Sequence, residues 1–487
     1  MNIQTCFKHN GTYLSRLKCP LIFLVYILFV YLFVAQGIRA ETLSIDLKQA
    51  TRMALENNHA LAAASHKVNE ANSGVKIART QFLPKINAQA RYTRLDEEPY
   101  LDASGFGQLF EPLMAPFEDL VANGYLDPST LSGLSGAGGP GKIIMGDDDN
   151  YSINLSLEQP LFTGFALTNN LKIANYQKKN SELLLQRSKE QVWLNTSLAY
   201  WGLIRTIEFV KVTEESIVQL ESHVEDLRNL LEAGIIIEND LLRAELALSN
   251  AQLQNVRAAN GARLANTALC NVLAIDQSTV IEPTEIAIIN DTALLPLNDF
   301  LSQAIGSRPD YIAFGNNIKI LDKVKAIRRA EYLPKLALVA NCDWKRPNRE
   351  YEPEFYRSWN INLVASLSVF NWGRRHHEIQ KVKAQKRQLM ELHEQLTDYV
   401  KFEVRQAYQL VEESRQEVKI AELAVAQAEE NFRVTSTNYE AGMLTNSDLL
   451  DAQTGLTQAK IAFVQAKTQH MSAAASLQAA TSDIEEQ

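Results

Sequence analysis

LEAGIIIENDLLR at 231–243 and YEAGMLTNSDLLD at 439–451 are two copies of one thirteen-residue device, set at a constant offset of 208. In each, an Ala-Gly pair (Ala233-Gly234, Ala441-Gly442) interrupts a long helical pattern. A polar residue, an acid and two leucines then restart it: Asn239-Asp240-Leu241-Leu242 and Ser447-Asp448-Leu449-Leu450. Glycine takes the left-handed conformation that ends a helix. Asn or Ser followed by Asp suits the cap of the next helix, where free N–H groups and the positive dipole end need acceptors. Each copy reads as the tip of a helical hairpin, and a duplicated hairpin means that every other feature should be sought twice.

Working outward from the tips, residues 374–441 contain no proline or glycine, and 165–233 contain only Gly202. At about 1.5 Å per residue such helices run to roughly 100 Å, far beyond a bilayer of about 30 Å, and they are too charged to lie in lipid. On the return helices Ala244, Ala251, Ala258 and Ala265 are spaced by seven, and Ala452, Ala459, Ala466 and Ala473 repeat them. Small residues every heptad allow close, left-handed winding of neighbouring helices. A plain soluble four-helix bundle has similar seams but gives no reason for strands.

Strands are nevertheless present, under a second duplication with an offset of 250. Gln81-Phe82-Leu83-Pro84-Lys85 ends a helical stretch running from about 46 to 80, and Glu331-Tyr332-Leu333-Pro334-Lys335 ends its counterpart. Proline donates no N–H and drives its predecessor extended, so each Leu-Pro marks a passage from helix to strand. Strict alternation follows: Ile86, Ala88, Ala90 and Tyr92 against Asn87, Gln89, Arg91 and Thr93. The return strand sets Tyr151, Ile153, Leu155 and Leu157 against Ser152, Asn154, Ser156 and Glu158. The second repeat alternates over 336–344 and over 359–369. Four strands of about ten residues with one apolar face have the length and period of outer-membrane strands, although a soluble sandwich alternates too. The change of offset from 250 to 208 places 42 extra residues in the first strand hairpin, in the long loop 95–150. Turns at Phe162-Thr163-Gly164 and Phe370-Asn371-Trp372-Gly373 lead into the long helices. Lipid tolerates no unpaired backbone, and single-chain barrels begin at about eight strands. Four strands per chain therefore predict a barrel shared among two, three or more protomers.

Composition bounds the remaining possibilities. Residues 1–40 contain no acid, carry Lys8, Arg16 and Lys18, and run apolar from 21 to 35 before Gly37 and Ala40. This is the pattern of a secretory signal, with an apolar core too short to span a membrane. Its removal would shift the formal net charge from -9 to -13, an acidic balance without a nucleic-acid footprint. Only Cys270 and Cys342 would remain, which is no disulfide framework. The run from Gly136 to Lys142 resembles a phosphate-binding loop, but Ile143 stands where Ser or Thr is needed and no buried strand leads into it. Asp147-Asp148-Asp149 is open to a calcium or a solvated-loop reading, and His376-His377 lacks metal-ligand spacing. No cofactor, metal or catalytic constellation is expected. The expected organisation is a signal at 1–40, a first repeat at 41–275 with its tip near 234, and an irregular connector at 276–297 around the waist of the rod. A second repeat follows at 298–480 with its tip near 442, then a tail at 481–487.

The order helix, strand, strand, helix, helix, given twice, with Leu-Pro helix exits, Phe-x-Gly-type turns and Ala-Gly tips, resembles the TolC family of outer-membrane channel-tunnels over essentially the whole mature chain. The resemblance implies a mainly α fold with a β-barrel part: a homotrimeric α-helical tunnel continuous with a shared twelve-stranded transmembrane barrel. It implies an outer membrane channel of a tripartite efflux or type I secretion system, not an enzyme, docked through a periplasmic adaptor (membrane fusion) protein to an inner-membrane pump. By the tip motif, the family's aperture aspartates fall on Asp448 and Asp451, and its closed-state latch on Tyr439 and Asp240. The adaptor-docking tips fall at Gly234 and Gly442. Leu444 stands where the best-known member has an arginine. Asp240 and Asp448 also sit where an acid stabilises a helix start by about 0.3–1 kcal/mol with no gating role, whereas the duplicate of Asp451 is Arg243, a charge difference that capping does not require. A periplasmic structural coiled coil or an adhesion protein of the envelope is the alternative.

Overall fold

The structure, a computed structural model, describes residues 42–102, 115–127, 129, 142–284 and 294–484; the signal at 1–40 and residues 136–141 of the glycine run lie outside them. The chain runs β1 (Thr42–Ile45), α1 (Leu47–Asn57), α2 (His59–Thr80), β2 (Lys85–Arg94), β3 (Tyr100–Asp102), β4 (Lys142–Ile144) and β5 (Asp149–Phe162). It continues through α3 (Ala166–Glu232), α4 (Glu238–Leu273), β6 (Val280–Pro283), α5 (Leu297–Ser307), α6 (Pro309–Ala330), β7 (Lys335–Arg346), β8 (Tyr356–Ser366), α7 (Arg374–Glu440) and α8 (Asn446–Thr481). The two offsets reproduce the helix bounds residue for residue: α3 and α7 are both 67 residues, α4 and α8 both 36, α2 and α6 both 22.

The stretch expected as one helix over 46–80 is broken. Asn58 ends α1 in extended backbone and its side chain accepts from the N–H groups of Ala60 and Leu61, capping α2. The counterpart break is at Arg308, where Pro309 opens α6 with the ring-locked φ that a first helical turn accepts. On the near side of each break the short helix touches both arms of its hairpin, α1 on α3 and α4, and α5 on α7 and α8. Beyond it α2 lies on α3, and α6 lies between α3 and α7.

β2, β5, β7 and β8 form one antiparallel sheet in that order, so the two repeats meet at β5–β7. Opposite residues in an antiparallel ladder share a face. Ile86, Leu157, Ala340 and Ile361 make one row across all four strands, and Ala88, Leu155, Cys342 and Trp359 the next. The intervening rows are polar: Asn87, Ser156, Asn341 and Asn360, then Gln89, Asn154, Asp343 and Ser358. Asn154 donates to Asp343 at 2.9 Å and Asn341 to Asn360 at 3.0 Å along that face. One side of the sheet is therefore a hydrocarbon surface, the other a lattice of amides and hydroxyls. β8 ends at Ser366, short of the alternation that runs to Val369. The outer edges, β2 and β8, have no strand partner among the described residues. No helix among the described residues is long and apolar enough to cross a membrane.

The waist contains a strand pair that periodicity did not indicate. Inside the connector expected to be irregular, β6 pairs in parallel with β1. Ile45 and Ile281 enter a core with Tyr200, Leu203, Leu269 and Leu273. The Tyr200 hydroxyl donates to the Ile45 carbonyl, and the Asn266 amide holds β6 by bonding Thr279 O and Ile281 N. Cys270 is a buried free thiol in the same core, its pKa pushed up by burial.

Beside this core is a buried ionic junction. Arg308, 3% exposed, forms a fork with Asp310 at 2.9 and 3.0 Å and reaches Glu403 at 2.6 Å. Arg187 pairs with Glu190 at 2.9 Å and lies 3.8 Å from Asp310. Both arginines also donate to the last carbonyls of α8, Ala480 and Ala479, where the helix dipole is negative. Burial raises the Asp310 pKa, and the hydrogen bonds and charges of Arg308 and Arg187 outweigh it, leaving the carboxyl below its ordinary 3.8. A depressed carboxylate stabilises the fold above that value and loses its contribution as pH falls through the lower one. Removing one partner of a buried pair costs about 3–5 kcal/mol. Arg308→Ala is expected to lower the unfolding midpoint accordingly in a denaturant titration at pH 7, and by less at pH 3.

Candidate functional site at the hairpin tips

At the first tip the N–H groups of Gly234 and Ile235 fold back to Leu231 and Leu230. At the second, those of Gly442 and Met443 fold back to Tyr439 and Asn438. Gly234 and Gly442 have φ of 74° and 72°, and nothing lies near where a Cβ would stand. Backbone conformation, not crowding, demands glycine at both.

The helices restart earlier than the expected caps Asn239 and Ser447. Thr445 is the cap of α8 and forms a capping box with Asp448: Thr445 N donates to the Asp448 carboxylate at 2.9 Å, its hydroxyl at 2.6 Å, and Asp448 N returns a bond to that hydroxyl. The equivalent residue in the first tip, Ile237, caps nothing with its side chain. The Thr445 hydroxyl and N–H hold the Asp448 carboxyl below the ordinary range, so it is charged throughout the physiological span. Asp451 stands a turn further on, exposed. Its duplicate, Arg243, crosses to the other tip and donates to Ser447 at 3.3 Å.

The two tips are pinned together by a residue the sequence did not single out. Asn446 is 5% exposed; its Nδ2 donates to the Asp240 carbonyl at 2.8 Å and its Oδ1 lies 2.7 Å from His223 Nε2. With the amide nitrogen turned to a carbonyl, Oδ1 must accept, which puts a His223 proton on Nε2. The His223 ring meets Tyr439 edge-on at 5.6 Å. Tyr439 packs on Val224, Leu227 and Ala244, and burial followed by the charges of Asp240 and Asp226 pushes its phenol up, keeping it a donor. Tyr439 and Asp240 are thus brought together, and the interaction between them is electrostatic. The duplicates of Asn446 and His223 are Glu238 and Asn431, so the repeat carried no signal for either.

Above the tips, α8 meets α3 through polar side chains. Gln453 donates to Gln219, Thr457 to Ser216 at 3.2 Å and Lys460 to Glu215 at 2.9 Å. These bonds lie between the two hairpins, above the apolar contact of Tyr439 and Leu450 with Val224, Leu227 and Ala244. At the other end of the rod, the acid triplet proves to be neutralised by its neighbours. Arg94 pairs with Asp148 and Asp149, Arg346 with Asp147, and the Tyr92 hydroxyl donates to Asp149 at 2.6 Å. Among the described residues no group of His, Cys, Asp or Glu could hold a metal ion.

The profile of the outer membrane efflux proteins matches residues 50–111, 119–274 and 301–482. The chain belongs to the outer membrane efflux protein family. It is 21% identical over 432 residues to outer membrane protein OprJ of Pseudomonas aeruginosa, covering 87% of this chain and 81% of that one. Its fold is that of the Campylobacter jejuni CmeC outer membrane channel (TM-score 0.70, 17% identity, 89% and 85% of the two chains). The open-state MtrE outer membrane channel of Neisseria gonorrhoeae shares it too (0.67, 16%, 89% and 88%). This protein is an outer-membrane efflux channel whose helical part lies in the periplasm, and the periplasmic rod or adhesin reading is not favoured.

If Asn446 pins the tips, Asn446→Leu removes both of its hydrogen bonds while filling the same space. Buried donors and acceptors left unpaired cost about 1–3 kcal/mol. Amides of 234–240 and 443–448 should then exchange with deuterium about 5- to 100-fold faster; unchanged protection would remove Asn446 as the pin.

Proposed function

We propose that three copies of this chain assemble so that β8 of each pairs with β2 of the next, closing a twelve-stranded barrel above a tunnel of twelve helices. The two unpartnered edges of a sheet that is apolar on one side and polar on the other carry this reading. Lipid leaves no backbone group unpaired, and the amide rows face inward only if the sheet closes on itself. The channel is passive: solutes enter from a periplasmic adaptor protein joined to an inner-membrane pump, in a tripartite efflux or type I secretion assembly, and leave through the barrel. The mature chain begins near residue 41, and the units 41–275 and 298–480 each contribute one hairpin to the tunnel, joined through 276–297.

In this assembly the tips at Gly234 and Gly442 form the adaptor-docking end. Asp448 and Asp451 become two rings of acid at the aperture, concentrating negative potential where the aqueous path is narrowest. Asp448 holds its charge and its position through Thr445, while Asp451 is free to face the lumen. Tyr439 and Asp240 hold the closed state. With Leu444 in place of a cation, the bridges from Asn446 and Arg243 take over the link between tips, and the polar seam between α3 and α8 lets one hairpin slide past the other.

The test is conductance of the purified protein in a planar bilayer, with the copy number measured by native mass. Three copies and a cation-preferring current are expected. Changing Asp448 and Asp451 together to Asn should bring the reversal potential in a salt gradient towards zero while leaving the native mass at three copies. Unaltered selectivity would remove them as the aperture.

A further inference from the structure

The four passages between the helices and the four-stranded sheet occur at one level: α2 into β2, β5 into α3, α6 into β7, and β8 into α7. Two features coincide there, an aromatic edge of the kind that borders outer-membrane barrels and a run of cations that neither the barrel nor the tunnel requires. The first is a set of rings with nothing over them. Trp372 is 88% exposed and Phe370 70%, stacked edge-on to each other at 5.0 Å, and Phe165 is exposed as well.

The backbone works to present them. Under the 208 offset Gly164-Phe165 aligns with Trp372-Gly373, and all four residues are left-handed, at φ of 63°, 68°, 54° and 77°. The glycine and the aromatic have exchanged places between the repeats, yet each turn keeps one aromatic residue in a conformation that costs about 1–3 kcal/mol. A turn shaped only for geometry would have glycine at both positions.

The second feature is a band of positive charge on an acidic protein. No acid occurs over 71–95, 159–181 or 355–377. Lys76, Arg79, Lys172, Arg329 and Arg374 are exposed at this level. The acids present are Glu331 and Glu378, both against Arg328 at 3.2 and 3.8 Å, and Glu158, opposite Lys85 on the polar face of the sheet. Arg375 is not part of the band: it is buried against the Tyr332 ring and donates to the carbonyls of Glu331, Ser368 and Val369, which terminates β8.

Exposed rings with cations one turn below are the side-chain order of a membrane interface, aromatic groups at the ester level and arginines at the phosphates. Because the helices are periplasmic, the leaflet at this level is the inner one. We propose that the boundary between sheet and helices is a binding collar for anionic phospholipid of the periplasmic leaflet. Arg79, Arg329 and Arg374 take the phosphodiesters, while Phe165, Phe370 and Trp372 seat among the chains beneath. The collar rests on the outer-membrane placement and on these residues, exposed in the single protomer, staying exposed in the assembly proposed above; its failure would leave the channel reading intact.

Native mass spectrometry of the full-length protein in detergent, titrated with phosphatidylglycerol or phosphatidylcholine of identical acyl chains, tests it. Each arginine near an anionic headgroup contributes a factor of roughly five. Phosphatidylglycerol is therefore expected to bind at least about tenfold more tightly, and R79Q/R329Q/R374Q to bring the two lipids level. Equal affinity in the native protein, or a triple variant that keeps the preference, overturns the proposal. Should the triple variant fail to fold, vesicles decide: brominated phosphatidylglycerol should quench tryptophan emission of the native protein more than brominated phosphatidylcholine, with the excess lost in Trp372→Phe. Equal quenching by the two lipids sinks the collar.

Discussion

The constraint on which the molecule depends is the hydrogen-bonding capacity of two strand edges. β2 and β8 each present a row of backbone N–H and C=O groups that no strand among the described residues satisfies, and a hydrocarbon surrounding offers none in exchange. Everything about the sheet agrees with an edge that must be met by another strand. The rows stay in phase across β2, β5, β7 and β8, so a fifth strand in register would extend both the apolar and the polar face. From Tyr151 to Phe162 the strand covers roughly 37 Å at about 3.4 Å per residue. Tilted by about 45° it spans near 25 Å, the height of the apolar band in outer-membrane barrels. Aromatic residues stand at both ends, with Tyr92 against Tyr151 at 4.9 Å at the outer one.

The rods show how a duplicated sequence is made asymmetric without changing its geometry. Helix lengths are conserved to the residue, but the ends are chemically distinct. The second tip has a hydroxyl cap at Thr445 with Asp448 bound to it, whereas the first has Ile237 in the cap position, and Asp451 of the second tip is replaced by Arg243 in the first. One hairpin end is therefore held by its own side chains, and the other is held by its neighbour. Asn446 is the point where this dependence is concentrated, since a single amide serves a ring on α3 and a carbonyl on α4. At the waist the corresponding asymmetry is between Asn58, which caps locally, and Arg308, which draws carboxylates from α6 and α7 and a carbonyl from α8 into one cluster.

What could be read from the residues is what repeats or alternates. The long helices, the glycine tips and the four sheet strands each leave a periodic trace, and the two offsets located their bounds. The features that escaped reading depend on partners distant in the chain. The cap is Thr445 and not Ser447, because the turn after Gly442 is one that only the folded backbone reveals. β1 and β6 are four residues each, too short for a period, and exist because they find each other. β8 stops at Ser366 although alternation runs on, since the last carbonyls there are taken by Arg375 instead of a strand. Pro309, a good first helical residue, was the available sign that the 46–80 pattern and its copy would each break in two.

The pairing of β1 with β6 also sets an order of events. Thr42 finds its mate in Val280, so a segment made before the long helices of the first repeat waits unpaired until they have followed. Contacts between such distant segments form slowly and leave apolar surface exposed in the meantime. Ile45 is that surface here, and its burial against Ile281 marks the moment when the first half of the chain becomes a finished unit on which the second can be laid down.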